Sequence, residues 1–576
     1  MRLVIILQTL SLILSEVCFS PVYGENLSFR DEAIKQLVDR VPQIVKTYNA
    51  GSGRFGSGFF VVGDQNSMFP LAVAYATDSQ ANPYYKDPKL LEIVMGSGDA
   101  LISVQDEQGR WRYDKKDGSY WGQVYMPWTY SRWIRSYALI KDDMPVQPRK
   151  RWESALERGF SGISRRELHS VKNIPAHHAM GLYAAGKILG RADWQKQAAE
   201  FMKTIVDAQK EGGYWSEHSG PVVRYNHVYV EAIGVYYSLS GDPLVLPALR
   251  RAAEFHSHFT YPDGSDVETI DERSVYQRGP GGGTRNVGFT MTAEGRGYLA
   301  TQWRRAGRRL DPDSAASLVL HGKEGPVVEQ ALQGDFVFME GGVPRAIKLT
   351  TNPWLVVLSA YTAAPSEQRW IQDRQSFLSI WRDGAGLIAG GGNTKLQPAW
   401  STFVLGDHRH LAHSSGDESP VFRPQGELYY VPSTAQLFLG SSPRLVLTYG
   451  QALATLQVRR VNRDGLELDF SMKTAIGLMA TGHLPLLPEL GAWLETAGGY
   501  RERLSEKPVY LDATKLGGWL RFRGVRYAVP TGTTLYWPVL PHNPYRRDGS
   551  SVVSEGRIDL RLPLRGDGTP STILLE

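Results

Sequence analysis

The spacing of apolar positions divides the chain into two parts with different periods. From about residue 30 to about residue 308 apolar side chains recur at helical spacing, and successive helices are predicted to end near Tyr137, Tyr183 and Tyr237. Each is followed by a second helix that closes in a glycine-containing turn. These turns span residues 105–111, 209–215 and, more loosely, 261–265. Helical hairpins that recur about every fifty residues indicate a stacked or closed helical array, with an irregular helical bundle as the alternative.

Two local patterns within this part mark the starts of helices. Gly190–Trp194 is predicted to open a helix that runs through Met202 and Ile205. Pro221 suits the first turn of the next helix, and Ser219 is a candidate cap for it.

After Asp311–Asp313 the helical period gives way to alternating apolar residues and glycine-rich turns. The clearest hairpin joins a strand containing Leu456 and Val458 to a strand containing Leu466, Leu468 and Phe470, across Asn462–Gly465. Strands of this kind continue to the end of the chain. The pattern predicts a large antiparallel β region, most simply a β-sandwich, over residues 311–576.

The first residues have the pattern of an export signal. Arg2 provides a positive start, Leu3–Leu14 is a short apolar run, and Val22–Gly24 offers a cleavage point. We therefore expect a signal peptide at residues 1–24 and a secreted or periplasmic protein without membrane insertion. Cys18 is the single cysteine, so the mature chain would have no disulfide, thiolate nucleophile or cysteine-bound zinc.

Length and charge narrow the range of functions. A chain of 576 residues exceeds one hydrophobic core, so two domains are expected, the helical one at residues 25–310. The 64 basic and 59 acidic residues give a net charge of +5 without a long basic run, which does not predict nucleic-acid binding. The same balance permits a locally basic cleft for an anionic ligand. With 15 Trp and 28 Tyr, the chain is also well supplied with rings that stack on sugars.

An aromatic and basic cluster in the helical part is a candidate substrate-binding surface. It consists of Trp121, Gln123, Tyr125, Trp128, Tyr130, Arg132, Trp133 and Arg135. Rings at this density can stack on pyranose faces while Gln and Arg hold hydroxyl or carboxylate groups. The alternative is that Trp128 and Trp133 simply pack between helices.

A second cluster opens an otherwise apolar helix with polar groups. Asn173 can hydrogen-bond a substrate carboxyl without adding charge, and His177 or His178 can take a proton near neutral pH. A structural role for either histidine is the alternative.

A third cluster contains Glu217, His218, Arg224, Tyr225 and Tyr229. Tyr225 and Tyr229 are four residues apart and share a helical face, beside Arg224. A cation near a tyrosine favours loss of the phenolic proton. Packing by one tyrosine and solvent exposure of the arginine is the alternative.

Together the three clusters meet the requirements of β-elimination on a uronic acid. The carboxylate must be neutralised by Asn, His or Arg, a base must remove the proton at C5, and an acid must protonate the departing O4. Tyr and His can share these two roles. The reaction requires no metal or other cofactor, and its partner would be an acidic polysaccharide.

The order of Asn and His in one helix, then Arg and Tyr about fifty residues later, resembles the (α/α)-toroid polysaccharide lyases, including alginate lyases and heparinase II/III-like lyases. The segment Ser376–Gly384, which opens a β region, fits the toroid-plus-sandwich layout of the latter. The resemblance implies an α+β multidomain fold, with an (α/α) toroid or incomplete barrel followed by an antiparallel β-sandwich. It also implies that Asn173 neutralises the carboxylate, His178 or His177 is the base, Tyr229 is the acid and possible base, and Arg224 stabilises charge. Tyr225 is the alternative to Tyr229, and Trp121, Gln123, Trp128, Tyr130, Arg132, Trp133, Glu217 and His218 would bind substrate.

Three other functions are open to this sequence. A glycoside hydrolase of glucuronyl sugars would use paired carboxylates from Asp263, Asp266, Glu268, Asp271 and Glu272, which we expect instead to form a solvated loop. A uronate C5-epimerase would use nearly the same Tyr and His residues, and a glycan-binding protein would need only the aromatic cluster. His408, His410 and His413 lack an obvious fourth metal ligand and are not expected to bind zinc.

Overall fold

The computed structural model describes residues 23–56, 58–116, 118–328, 334–411, 424–460, 465–475, 477–546 and 548–576. The signal peptide expected at residues 1–24, including Cys18, lies almost wholly outside the described residues, as does His413. Within the described residues, no helix combines the length and apolar character needed to span a bilayer.

The N-terminal part is helical. Within the described residues, the α-helices of the whole chain are, in order, α1 (Arg30–Lys46), α2 (Met68–Ala76), α3 (Pro88–Ser103), α4 (Pro127–Ile140), α5 (Val146–Arg166), α6 (Asn173–Ile188), α7 (Ala192–Asp207), α8 (Val223–Ser240), α9 (Leu246–His258), α10 (Ala293–Ala306), α11 (Pro312–His321) and α12 (Ala513–Leu516).

The inner helices form a closed ring. Helices α2, α4, α6 and α8 contact one another in turn, and the ring continues through a 3₁₀ segment at Val287–Met291 to α11, which returns to α2. Helices α5 and α7 return the chain on the outside, against α4 and α6. The predicted helix opened by Gly190–Trp194 is α7, with Met202 and Ile205 buried. The closed helical array predicted from the repeat is therefore confirmed.

The glycine-containing turns of the predicted repeat share the same backbone hydrogen bond and the same glycine conformation. The N–H groups of Gly109, Gly213 and Gly264 each donate a 2.9 Å hydrogen bond to the carbonyl three residues before, and the three glycines have φ of +88°, +86° and +82°. In the first two turns, the indole N–H of Trp111 and Trp215 donates to the carbonyl ten residues earlier, at 3.0 and 2.8 Å. Glycine suits these positions because a left-handed φ carries little steric cost without a Cβ.

The C-terminal part consists of strands. Within the described residues, the strands of the whole chain are, in order, β1 (Tyr23–Leu27), β2 (Tyr48–Asn49), β3 (Arg54–Phe55), β4 (Trp111–Asp114), β5 (Tyr120–Val124), β6 (Gly325–Val328), β7 (Phe336–Glu340), β8 (Val343–Thr351), β9 (Trp354–Ser359), β10 (Leu378–Arg382), β11 (Gly386–Ala389), β12 (Phe403–Gly406), β13 (Leu428–Tyr429), β14 (Thr434–Phe438), β15 (Arg444–Tyr449), β16 (Ala452–Arg460), β17 (Leu466–Lys473), β18 (Ala480–Leu486), β19 (Trp493–Thr496), β20 (Arg501–Arg503), β21 (Val509–Leu511), β22 (Trp519–Phe522), β23 (Val525–Ala528), β24 (Thr534–Val539), β25 (Arg557–Leu564) and β26 (Ser571–Leu575).

Two antiparallel sheets form the predicted sandwich. One has the order β21-β24-β25-β18-β11-β10-β9-β8-β7, with β12 and β13 attached at β18, and the other has the order β14-β15-β16-β17-β26-β23-β22-β19-β20. Leu484 and Leu560 of the first sheet share one buried core with Leu447 and Leu468 of the second. The predicted hairpin is β16–β17, in which Leu456 faces Phe470. Its turn at residues 461–464 lies outside the described residues.

Two details differ from the sequence-based expectation. The helical period was expected to end at Asp311–Asp313, but Asp311 caps α11 by accepting a 2.9 Å hydrogen bond from the Ser314 N–H, and Pro312 occupies its first turn. The assignment of Ser219 as the cap of α8 was also wrong. Its N–H and hydroxyl donate to Glu272 at 2.8 and 2.6 Å, and α8 begins only at Val223.

The two parts meet through a shared apolar contact. Phe259 and Tyr261, which follow α9, pack in one buried cluster with Phe338 and Trp381 of the first sheet. The rings of Tyr261 and Trp381 are stacked with centroids 5.1 Å apart. The sheet therefore fixes the position of the segment that follows α9.

The expected solvated loop of acidic residues is buried in this interface. Glu268, Asp271 and Glu272 are each at most 2% exposed. Glu268 accepts hydrogen bonds from the Ser379 hydroxyl and from the Gly391 N–H, both of the β part. The expectation of a solvated loop was wrong for these three residues, which are buried where the helical part meets the β part. The β part, distant in sequence, supplies donors to Glu268, whereas Asp271 and Glu272 accept from N–H and hydroxyl groups of the helical part.

Candidate functional site

The N-terminal ends of the inner helices gather at one end of the ring. The outer helices return the chain, so α4, α6 and α8 run in the same direction, and Trp128 near the start of α4 stacks on His177 near the start of α6, with ring centroids 5.7 Å apart. The first residue of α6, Asn173, contacts the segment that leads into α8. Helix N-termini carry partial positive charge, so this end of the ring favours an anionic ligand.

Glu217 connects the polar groups at this end. Its Oε1 accepts the Asn173 backbone N–H at 3.0 Å and the Tyr229 hydroxyl at 2.9 Å. Its Oε2 lies 3.6 Å from Nη1 of Arg273. Because Glu217 is buried, these contacts fix the backbone on which the next residue, His218, is displayed.

His218 and Tyr225 are accessible titratable groups at this end. His218 is exposed and Tyr225 is half-buried. The guanidinium carbon of Arg273 lies 4.6 Å from the centre of the Tyr225 ring. Partial desolvation lowers the pKa of His218, as do the positive charges of Lys172 and Arg273, against the opposing effect of Glu272 and Glu217. Desolvation raises the pKa of Tyr225, and the charge of Arg273 opposes that rise. A neutral imidazole and a protonated phenol are therefore the favoured forms near neutral pH.

Aromatic and cationic residues from three segments stand over Tyr225. The Tyr225 hydroxyl forms a hydrogen bond with the hydroxyl of Tyr545, which lies in the loop after β24. The rings of Trp370 and Tyr545 are 5.9 Å apart, and those of Trp121 and Trp370 are 4.4 Å apart. Lys115 lies 3.6 Å from the Trp121 ring centre. The β4–β5 hairpin of the helical part and two loops of the β part thus meet over the site.

Of the first predicted cluster, several side chains belong to the helical core. Tyr125, Tyr130 and Trp133 are buried, and the hydroxyls of the two tyrosines donate to backbone carbonyls. Arg132 forms a two-pronged ion pair with Asp313, both contacts at 2.5 Å, and Arg135 lies over the Phe69 ring at 4.3 Å. These residues join α4 to α11 and α2 across the ring.

The other members of that cluster lie nearer the open end. Trp121 and Gln123 are on β5, where Trp121 is half-buried beneath Trp370 and Gln123 is exposed. Trp128 is partly exposed beside His177. Arg224, of the third predicted cluster, is half-buried and donates a hydrogen bond to Gln277.

His177, His178 and Tyr229 are buried. Nε2 of His177 lies 2.9 Å from the Ser131 hydroxyl, and desolvation lowers the pKa of His177 well below the ordinary range. Desolvation also lowers the pKa of His178 to about 3, and its Nε2 is 3.8 Å from Glu167. Tyr229 is stacked on Trp215 with an interplanar angle of 9°. None of these three side chains has more than 2% of its surface exposed, so a polymer on the surface does not reach them in this conformation.

Sequence reasoning missed Arg273, Trp370 and Tyr545. They lie about fifty, 145 and 320 residues beyond Tyr225 along the chain, in segments that no periodic pattern relates to it. The dipeptide Arg369–Trp370 and the run His542–Tyr545 carry cationic and aromatic groups, but nothing in their spacing indicates that they meet over α8.

His408, His410 and His413 are the histidines of the β part that cluster in sequence. His408 lies against His483, with ring centroids 5.2 Å apart, and Nδ1 of His483 is 2.9 Å from Asp559. His413 lies outside the described residues. Within the described part of the chain, no group of three or more His, Cys, Asp or Glu side chains is placed to hold a metal ion.

Similarity to known proteins is found by comparison of structures. No family model matches the chain, and no curated protein matches it. A crystal structure of heparinase III has a TM-score of 0.55 and 13% identity, covering 95% of this chain and 84% of that one. The Streptomyces coelicolor A3 chondroitin AC lyase, solved as a tyrosine-to-alanine mutant, has a TM-score of 0.51 and 12% identity over 94% of this chain and 79% of that one. The fold is therefore that of these toroid and sandwich polysaccharide lyases, as the resemblance in sequence implied.

Proposed function

We propose that the chain is a polysaccharide lyase that cleaves an acidic, uronate-containing polysaccharide by β-elimination. The observation that carries the proposal is the joint placement of exposed His218 and half-buried Tyr225 beside Arg273, at the end of the ring where the inner helices begin. The shared fold with heparinase III and chondroitin AC lyase supports it.

The substrate carboxylate would be neutralised where α6 begins. Asn173 is the first residue of α6, and its backbone N–H is already held by Glu217. Its side-chain amide can donate to a carboxylate without adding charge, and the helix N-terminus adds a favourable dipole. Arg273 provides a full positive charge next to these groups and would stabilise the enolate that forms when the C5 proton leaves.

His218 would act as the base and Tyr225 as the acid. A neutral imidazole can accept the C5 proton, and the lowered pKa of His218 keeps it neutral near pH 7. The raised pKa of Tyr225 keeps its phenol protonated, so it can give a proton to O4 as the C4–O4 bond breaks and the C4–C5 double bond forms. This assignment replaces His177 or His178 by His218 and Tyr229 by Tyr225, because burial separates the former residues from solvent. Arg224 remains a candidate for holding a neighbouring sugar unit.

A hydrolase is less well supported by the arrangement of carboxylates. Glu268, Asp271 and Glu272 are occupied by hydrogen bonds within the domain interface and are not exposed to a polymer. Water-activating carboxylates must instead flank the scissile bond.

The polymer is proposed only as a class. The named activities of the solved neighbours make heparin-like and chondroitin-like chains the first to test, and alginate and other glucuronate or mannuronate polymers follow because they offer the same C5 proton next to a carboxylate. Export to the periplasm or the cell exterior, where such polymers are found, accords with the N-terminal sequence pattern.

The test is to mix the purified protein with a panel of these polymers and record the ultraviolet absorbance of the unsaturated uronate product. We expect a rise with at least one polymer, abolished in His218→Ala and in Tyr225→Phe. His169→Ala, which removes another exposed histidine, in the turn between α5 and α6, should retain activity. New reducing ends without absorbance would replace the lyase by a hydrolase, and the absence of both with every polymer would refute the proposed activity.

A further inference from the structure

The β-sandwich contains a cavity that the proposed mechanism does not use. Its volume is about 560 Å³, and its walls include Tyr510, Tyr536, Trp537 and Arg561 from three adjacent strands, β21, β24 and β25. The segment Leu540–His542, which follows β24, closes one side. A cavity of this size is within the range that holds small organic ligands.

Two tyrosines form an aromatic platform in this cavity. Tyr510 and Tyr536 are direct partners on the antiparallel strands β21 and β24, with ring centroids 4.7 Å apart. Tyr510 is 54% exposed, so much of its ring faces solvent. Trp537 is buried behind them, and its indole N–H donates to the Ser505 carbonyl at 2.7 Å, so it is a wall of the cavity. Tyr536 is half-buried and supports Tyr510, whose exposed ring provides a flat surface for the apolar face of a pyranose.

Arg561 adds an anion-binding group to the platform. Its guanidinium carbon lies 3.6 Å from the centre of the Tyr536 ring, and its Nε donates a 2.6 Å hydrogen bond to buried Asp559. Within the described residues, the two terminal nitrogens of Arg561 make no hydrogen bond to the protein. Lys395 also lines the cavity, but its ammonium group already donates hydrogen bonds to the carbonyls of Ser366 and Ile371.

The pairing of Arg561 with Asp559 determines how a ligand would be recognised. At a distance the two charges largely cancel, so long-range attraction contributes little. At contact the anchored guanidinium presents two parallel N–H donors, which match the two oxygens of a carboxylate or the oxygens of a sulfate. The cavity therefore combines a sugar-stacking surface with a fork for an acidic group.

The cavity adjoins the proposed active site along one short segment. His542 lines the cavity, and Tyr545, three residues later, shares a hydrogen bond with Tyr225. Three residues span at most about 11 Å between Cα atoms. A polymer chain bound over Tyr225 could thus extend across this segment into the cavity.

We infer that this cavity is a second binding site for an acidic sugar unit of a polysaccharide, with Tyr510, supported by Tyr536, stacking on the ring and Arg561 holding its carboxylate or sulfate. The inference rests on the proposed function for the identity of the polymer and goes beyond it in placing a site outside the cleavage centre. Its role is to increase affinity for long chains, because two linked contacts bind with a high effective concentration.

The test is calorimetric titration of the full-length Tyr225→Phe protein, which should not cleave, with disaccharides and with long oligosaccharides of the polymer that the wild type cleaves. If the wild type cleaves none, long heparan sulfate and alginate oligosaccharides serve as probes, so the cavity is tested even if the proposed activity fails. We expect Tyr510→Ala to weaken binding of long chains about tenfold, as the loss of one stacking contact implies, and to leave disaccharide binding unchanged.

Two further variants provide a control for the loss of an exposed ring and a test of Arg561. Trp493→Ala removes another exposed ring flanked by two arginines, but in the second sheet, and should bind both ligands like the parent. Arg561→Lys keeps the charge beside Asp559, so the fold is retained, and should weaken long-chain binding by losing the two-pronged contact. Equal binding of long chains by the parent, Tyr510→Ala and Arg561→Lys would overturn the inference, as would a parent that binds no acidic chain.

Discussion

The phenol of Tyr229 donates a 2.9 Å hydrogen bond to Glu217, the residue next to His218. Tyr225 lies one helical turn earlier on the same face of α8, yet its hydroxyl meets Tyr545 of the β part. The first tyrosine thus supports the segment that displays His218, and the second stands at the surface of the cleft.

Replacing the two tyrosines should separate stability from activity. Tyr229→Phe removes a hydrogen bond to a buried carboxylate and should lower the free energy of unfolding by about 1–3 kcal/mol. Tyr225→Phe should change stability by less than about 1 kcal/mol and reduce the rate of product formation by about 100-fold or more, since it removes the acid. Urea unfolding and product absorbance measure the two effects. A folded, stable Tyr229→Phe protein without activity, beside an active Tyr225→Phe protein, would reverse the assignment.

The pH dependence should reveal His218 as the base. The value of kcat/KM should fall as the pH decreases through the pKa of His218, because the protonated imidazole cannot act as the base. This pKa lies below the usual value for histidine. The charge of exposed Lys172 is one cause of that lowering, so Lys172→Gln should raise the pKa and move the acid limb of the profile to higher pH. High salt should reduce the displacement because it screens exposed charges.

Lys187→Gln is the matched control for this experiment. Lys187 lies in the last turn of the same helix, α6, and donates to the Leu239 carbonyl at the far end of the ring. Its replacement should leave the acid limb unmoved. If the wild type, Lys172→Gln and Lys187→Gln had the same acid limb, His218 would not be the titrating base.

Asp271 should make the stability of the protein depend on pH. Burial raises the pKa of Asp271 from 3.8 to about 6, so the folded state holds the proton more tightly than the unfolded state does. The contribution of this group to stability is therefore present below about pH 4 and is lost as the pH rises to about 6, a change of about 3 kcal/mol. Asp271→Asn keeps an oxygen for the Arg273 and Ser274 N–H groups and should lack this loss.

The difference between parent and variant is measured by urea unfolding across this pH range. Asp263→Asn, at the partly exposed carboxylate of the same segment, is the control and should follow the parent profile. Parallel curves for the parent and Asp271→Asn would contradict the assigned protonation of Asp271.

The ion pair between Arg132 and Asp313 should stabilise the closed ring. Arg132 on α4 is buried, and Asp313 on α11 is its two-pronged partner. Asp313→Ala leaves a buried charge whose remaining ion-pair contact is the 3.9 Å one with Glu231, and should lower the free energy of unfolding by about 3 kcal/mol. The double variant Arg132→Met/Asp313→Leu should recover most of the loss, because it removes both charges. If the double variant were destabilised as much as Asp313→Ala, an unpaired buried charge would not be the cause of the lost stability.

The repeat, the division into helical and β parts and the hairpin at β16–β17 could be predicted from the sequence, because each follows from local periodicity and turn chemistry. The turns closed by Gly109 and Gly213 are an example: a left-handed glycine followed two residues later by a tryptophan is a local pattern, and the structure repeats its hydrogen bonds. His218 and Tyr225 were also found among the candidates, since polar and aromatic residues near the start of an inner helix are visible in the chain.

Only the tertiary structure determines which of the predicted site residues have side chains exposed to solvent. His177 and His218 are equally polar in sequence, but packing between α4 and α6 encloses the first and the turn before α8 exposes the second. The acidic run from Glu268 to Glu272 reads as a solvated loop until a sheet formed more than a hundred residues later covers it. Arg273 and Tyr545 reach Tyr225 through contacts across large sequence separations. Burial and long-range contacts depend on how distant segments pack, and no local period of the chain encodes them.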